Sequence, residues 1–169
     1  MFSVLERAHV AADQTPAEPL PGATTIAFAA SFPGDDQTFV AEMTDGDVCL
    51  ENQTAADAQP PPPGGSGILA VACAHPADAE ADGVSLIAVP NTQSTAASMT
   101  LLVPDGVHSV TFTSASGSNT AAPVVNNVAR AVGALTGATF ATASGSTVTV
   151  SVPPAAATPQ PADTEKRPG

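Results

Sequence analysis

The chain has no tryptophan, no tyrosine and only four lysines and arginines. Sugar-binding β domains stack Trp or Tyr on the pyranose ring, because those rings combine a flat face with a polar edge. Their absence argues against carbohydrate binding. Sixteen Asp and Glu against the four cations give a formal net charge of −12. Lys166 and Arg167 belong to the C-terminal tail, which leaves Arg7 and Arg130 for the body. A phosphate backbone needs several cations on one face, so nucleic acid is excluded as a partner, and anionic membrane surfaces are disfavoured for the same reason. The acidity itself reads as a solubility feature. No stretch approaches the roughly 18 apolar residues of a membrane span. The opening Met-Phe-Ser-Val-Leu-Glu-Arg lacks a basic region followed by an apolar one, so export would need a segment upstream of this chain.

What is present is small and apolar. Hydrophobic residues make up 43%, but much of that is alanine, which buries little area. The larger groups are valines, a few leucines and isoleucines, and six phenylalanines. The core should be modest, and a covalent staple would matter to it. The length of 169 residues suggests one domain with tails: a lead-in over 1–23, a β domain over 24–152 and a disordered Pro- and Ala-rich tail over 153–169.

Along the chain, Ser3 with Glu6 fits a capping box for a helix over 2–13, though an extended lead-in fits as well. Ile26, Phe28, Ala30 and Phe32 alternate as in a strand, and Pro33-Gly34-Asp35-Asp36 ends it with a turn. Residues 38–43 and 47–50 flank Thr44-Asp45-Gly46, whose Asp-Gly step favours a hairpin. Residues 54–67 contain four consecutive prolines, which cannot join a sheet ladder and read as a stiff surface spacer. Residues 76–82 suit one helical turn stopped by Gly83. Residues 84–89, 98–103 and 107–113 read as strands. Pro104-Asp105-Gly106 reads as a hairpin turn between the last two. Thr111-Phe112-x-x-Ala115-Ser116-Gly117-Ser118 then recurs as Thr139-Phe140-x-x-Ala143-Ser144-Gly145-Ser146, with return arms over 120–125 and 147–152. Repeated hairpins in one sheet and similar turns arising by composition explain this echo equally well. Nine or ten short strands between Gly, Pro, Asn and Asp turns predict an all-β fold, a small antiparallel sandwich or partly open barrel.

Cys49 and Cys73 are the only cysteines. Each lies at a strand-like position, and in an exported protein such a pair is a disulfide; two reduced core thiols are the alternative. Zinc would need four ligands, and beside Cys73 only His75 offers one. His9, His75 and His108 are the only histidines. No G-x-S-x-G elbow accompanies them, and the single Lys lies in the tail, so no catalytic residue is assigned. Asp78-x-Glu80-x-Asp82-Gly83 resembles the front of a calcium loop, but Val89 stands where the bidentate Glu belongs. Asp35-Asp36 and Asp45-Gly46-Asp47 are further acidic pairs. No metal or cofactor site follows. Asn52-Gln53-Thr54 matches an N-glycosylation acceptor, which matters only in a eukaryotic secretory host.

Several pieces in order carry a resemblance: Phe2-Ser3-Val4-Leu5-x-Arg7 with Ala11-Ala12-Asp13, Val48-Cys49-Leu50, Ala72-Cys73-Ala74, Leu102-Val103-Pro104-Asp105-Gly106-Val107 with Val110-Thr111-Phe112, and Pro123-Val124-x-Asn126-Asn127-Val128. Together, over residues 2–152, they resemble uncharacterised exported or membrane-anchored proteins of high-GC Gram-positive bacteria. The resemblance implies extracytoplasmic placement, a cysteine pair and an N-terminal hydrophobic segment ahead of the matched region; it implies no reaction. The few arginines and the acidic surface depart from that pattern. The expectation is a non-catalytic binding or structural module with a protein or envelope partner. The alternatives are a hydrolase with a non-standard Ser/His/Asp site around His75 or His108, and a calcium-stabilised adhesion-type domain.

Overall fold

The computed structural model describes residues 2–6, 20–32, 36–54, 68–88 and 96–153. The proline run, the C-terminal tail beyond 153, His9, Asp35 and the helix candidate beyond residue 6 lie outside the described residues. Two antiparallel sheets form the body. The first has the order β1-β2-β3-β4, from β1 (Ala23–Phe32), β2 (Asp36–Met43), β3 (Val48–Thr54) and β4 (Ile68–Ala74). The second holds β5 (Val84–Ala88), β6 (Ala96–Leu102), β7 (Ser109–Ser114), β8 (Asn119–Pro123), β9 (Val128–Ala141) and β10 (Thr147–Ser151). Its order is β5-β6-β9-β7-β8, with β10 also paired to β9. A short α1 (Ser3–Glu6) packs against β1 and β2, and α2 (Pro76–Asp82) crosses from the first sheet to the second. No helix among the described residues is long and apolar enough to cross a membrane.

The Asp-Gly hairpin forms as read. Gly46 has φ 90, and Met43 N–H donates to Asp47 O at 2.9 Å. Cys49 and Cys73 stand directly opposite each other on β3 and β4, with Cα atoms 4.0 Å apart, and are joined as a disulfide. Cys49 is fully buried, whereas Cys73 is exposed on the edge strand. Pro76 opens α2 and Gly83, at φ 74, closes it by donating to Ala79 O at 2.9 Å.

Two expectations change. The Pro104-Asp105-Gly106 turn does not make a hairpin, because β9 lies between β6 and β7. Just before the turn, Val103 N–H donates to Asn127 O at 2.8 Å, so the chain is tied to the start of β9 instead of to β7. Ser3 is not a cap either: it is the first helical residue, and its hydroxyl donates to Asn127 Oδ1 at 3.3 Å.

The sequence echo is a structural repeat within one sheet. Thr111 pairs with Thr139, so equivalent positions of the two copies face each other across β7 and β9. A local pseudo-two-fold axis therefore relates hairpin β7–β8 to hairpin β9–β10. Equivalent pairs agree in register, Phe112 with Thr120 and Phe140 with Val148. The turns agree too: Ser114 N–H donates to Ser118 O and Thr142 N–H to Ser146 O, with Gly117 and Gly145 at φ 80 and 85.

The second sheet is coiled on itself. Leu102 pairs with Val128, the first residue of β9. A Cβ built on Gly83 would lie 2.5 Å from Leu102 O and also 3.4 Å from Phe140 Cζ. A straight strand from 128 to 140 would separate those ends by roughly 40 Å, so β9 must bend back. Gly133, at φ 137, and a register shift beside Leu135 supply the bend. One apolar core lies between the two sheets, built on Val40, Leu50, Leu86 and Leu102 with Phe2 and Val4 from the N-terminal segment. A second lies inside the coiled sheet, built on Met99, Leu101, Phe112, Leu135 and Phe140.

Candidate functional site

The two long sides of the sandwich differ. On one, β4 and α2 lead straight into β5 and the sheets meet. On the other, β1 is an edge strand of the first sheet and faces the β8–β9 corner of the second.

That corner is a two-residue turn. Val125 and Val128 exchange hydrogen bonds of 2.8 and 2.9 Å, and Asn126 and Asn127 occupy the left-handed region with φ 48 and 66. Asparagine tolerates that conformation better than other non-glycine residues, which suits an Asn-Asn step to a tight turn. The two side chains then act as a clasp. Asn126 Nδ2 donates to Ala29 O on β1 at 2.8 Å. Asn127 Nδ2 donates to Val103 O at 3.1 Å and to Asp105 Oδ1 at 2.9 Å, while its Oδ1 accepts from Val4 N–H at 3.1 Å. Asp105 Oδ1 accepts from Ser3 N–H at 2.9 Å. Partial burial pushes the Asp105 carboxyl up, but the hydrogen bonds from Asn127 and Ser3 outweigh it and hold its pKa below the ordinary value. The N-terminal segment, the Pro-Asp-Gly turn and the Asn-Asn turn thus meet in one network.

Beside the clasp lies an open groove of about 480 Å³, lined by Phe28, Phe32, Pro123, Val125, Asn126 and Arg130 among others. The Arg130 guanidinium lies 5.1 Å from the Phe32 ring centroid, within cation–π range. Val125 is 52% exposed, so the groove wall presents apolar surface to solvent. Arg130 is the one Lys or Arg among the described residues. Mostly apolar walls with one charged group are the usual make-up of small-molecule sites.

Two larger grooves are more polar. One of about 750 Å³ sets Glu80 and Asp82 opposite Thr142, Ser144 and Thr147. The other, of about 520 Å³, contains His108 with Ser109, Thr111 and Thr139, and no carboxylate lines it. His108 and His75 are both exposed, and among the described residues neither ring hydrogen-bonds a serine or a carboxylate. His75 precedes α2 without capping it through its side chain. Asp78, Glu80 and Asp82 fall on α2, where residues two apart do not share a face. No group of three His, Cys, Asp or Glu converges among the described residues. Asp45 accepts from Asp47 N–H within its own turn at 3.2 Å. Asn52 is 7% exposed and bonded to Thr38 and Thr100, so the glycosylation match is sterically closed.

Sequence reasoning noted Arg130 only as a scarce cation and Phe32 only as a strand residue. Their meeting depends on β1 and β9 approaching across the sandwich, for which no local signal exists. The fully buried Glu51 and Gln53 were also missed. Gln53 Nε2 donates to Glu51 Oε1 at 2.5 Å, on the face of β3 that Cys49 shares. No family model, no curated protein and no solved structure matches the chain.

Proposed function

We propose that this chain is a non-catalytic binding or structural module that works outside the cytoplasm. The observation that carries the reading is a disulfide-pinned sandwich left open along one side, where an apolar groove meets a single guanidinium. A bridge that reaches a solvent-exposed residue, Cys73, is maintained most readily in an oxidising compartment. The groove presents recognition chemistry, an apolar floor with one charge, in preference to a nucleophile and base.

The test is made on the full chain in its native cells. Intact cells are treated with a membrane-impermeant protease, and the thiols are titrated with a maleimide reagent before and after reduction. The reading expects protein digested in intact cells and sulfurs that react only after reductant. Protection from the protease, together with both sulfurs reacting unreduced, overturns the placement. Turnover of a small ester or amide by the purified chain overturns the non-catalytic role.

A further inference from the structure

We infer that β10 is the receiving edge for one extended, positively charged segment of a partner protein, taken up in the groove between β10 and the end of α2; this rests on reading the chain as a binding module and gives that module a class of partner. Consecutive strand residues point to opposite faces. The groove, of about 750 Å³, is lined by Thr147, Val148, Thr149 and Val150 in unbroken order, so it runs along the edge of β10 and not over one of its faces. Residues 80–83 and Ser85 form the opposite wall.

The ladder to β9 fixes what that edge presents. Thr142 N–H donates to Ser146 O at 2.8 Å, and Val152 N–H donates to Thr136 O at 3.0 Å. The register between them is unbroken, with Val148 opposite Phe140 and Val150 opposite Ala138. Hydrogen-bonded and non-hydrogen-bonded positions alternate along an antiparallel pair. Val148 and Val150 therefore turn their N–H and C=O toward β9, and Thr147 and Thr149 turn theirs into the groove. Among the described residues β10 pairs with β9 alone. Its sequence, Thr-Val-Thr-Val-Ser, favours extended backbone. It holds no lysine, proline or bulge, the usual devices that keep an exposed edge from pairing.

The groove selects the occupant. A second copy pairing β10 to β10 would have to fit its own β9 and α2 into a space that this chain's α2 already walls. A single extended segment brings only its own side chains and adds to the edge through main-chain hydrogen bonds. The four lining residues of β10 span roughly 13 Å, room for about four peptide residues. Charge sets the sign: Asp82 stands in the wall, and among the described residues no Lys, Arg or His lines the groove. In a chain of net charge −12, a cationic segment is drawn in and an acidic one repelled.

Amide exchange and isothermal titration of the full, oxidised chain test the assignment. The probes are acetyl-Lys-Val-Thr-Val-Lys-amide, its counterpart with Glu in place of Lys, and a copy of the lysine peptide with methylated backbone nitrogens. Without peptide, the Thr147 and Thr149 amides should exchange fast, while β9 protects those of Val148 and Val150. The lysine peptide should bind one to one and, at about ten times its Kd, slow Thr147 and Thr149 about tenfold. The glutamate peptide should bind at least about threefold more weakly at low salt, a gap that Asp82→Asn narrows. Thr149→Pro deletes a groove-facing N–H and no bond to β9, and should weaken the lysine peptide about tenfold or more with Val148 and Val150 still protected. The methylated peptide, which should not bind, reads the same bonds from the ligand's side without altering the fold. Protection of Thr147 and Thr149 without peptide would overturn the assignment, whether it is constant, from this chain's own segments, or grows with protein concentration, from a second copy. Equal binding of the methylated peptide, or equal affinity for the lysine and glutamate peptides, would overturn it as well. Such a failure leaves the protease and thiol readouts of the module reading where they were, so the two are separable.

Discussion

The two cores of this molecule are built differently. The core inside the coiled second sheet is apolar throughout and carries the bulk: Phe112, Phe140, Met99, Leu101 and Leu135. One continuous stretch of chain wraps it, and its hairpins close locally. The core between the sheets is made largely of alanine and valine, with Ala27, Ala29, Ala79, Val40, Val48, Val84 and Val128. It gathers segments far apart in sequence, and it is the part that carries extra ties. These are the Asn126–Asn127 clasp and a buried chain in which Thr38 donates to Asn52 at 2.8 Å and Asn52 to Thr100 at 3.3 Å, while the Cys49–Cys73 bridge pins β3 to β4 on the other face of the same sheet. Where small side chains bury little area, directional and covalent links supply the definition that packing does not.

That contrast breaks most visibly at Phe112, which is 1% exposed. Phe112→Ala should cost about 3–5 kcal/mol in chemical denaturation, the usual range for emptying a buried aromatic site. Amide exchange should accelerate throughout β6, β7 and β9, because one cavity undermines a core with no other support. A loss confined to β7 and β8 would show that the coiled sheet is not one cooperative unit.

The covalent tie comes next. Cys49→Ala with Cys73→Ala opens a link of sequence separation 24, worth about 3 kcal/mol by loop-closure entropy. Here the expected exchange pattern is the complement: β3 and β4 loosen while β7 and β9 keep their protection. Equal loosening of both sheets would mean that the two cores share their stability, and the contrast would then be one of composition only.

Much of this arrangement was legible in the sequence. The strands, the Asp-Gly hairpin, the α2 turn with its glycine stop and the cysteine pairing follow from local chemistry: alternation, turn residues and scarcity of thiols. What was not legible is β9. Its stretch Ala131–Gly137, with Gly133 and Gly137, looks broken to a local reading, since glycine weakens a strand. In the fold those glycines are what let it bend, and Gly137 leaves no room for a side chain, because a Cβ there would meet Val150 O at 2.7 Å. Missing β9 misplaces everything that depends on it. The Pro-Asp-Gly turn is misread as a hairpin, and the Arg130–Phe32 contact is invisible. The groove needs two sheets in register across a distance that no sequence window spans.

The buried polar chain sharpens the contrast on a smaller scale. Asn52→Leu should cost about 1–3 kcal/mol, because the Thr38 and Thr100 hydroxyls lose their partner out of reach of water. Adding Thr38→Val and Thr100→Val should recover most of the loss, since an apolar seam of the same shape leaves nothing unsatisfied. If the triple variant melts lower than Asn52→Leu alone, the seam contributes more than the satisfaction of its own polar groups.

The smallest effect belongs to Asp105, and its sign follows from the clasp. Burial disfavours the carboxylate, but its hydrogen bonds from Asn127 and Ser3 favour it more, so its folded pKa lies below the ordinary value. The folded state then binds its proton more weakly than the unfolded chain does. The contribution to stability is complete above the unfolded pKa and disappears as pH falls through the folded one. Melting of the native chain and of Asp105→Asn should therefore differ at pH 6, and the gap should begin to close only as pH falls below about 4, closing fully below the folded pKa. The loss should be local, with faster exchange at the Ser3 and Val4 amides and at the start of β9, while the coiled sheet keeps its protection. A gap that persists unchanged to low pH would mean that Asp105 acts through its shape in the turn, and that the N-terminal segment is held by the packing of Phe2 and Val4 alone.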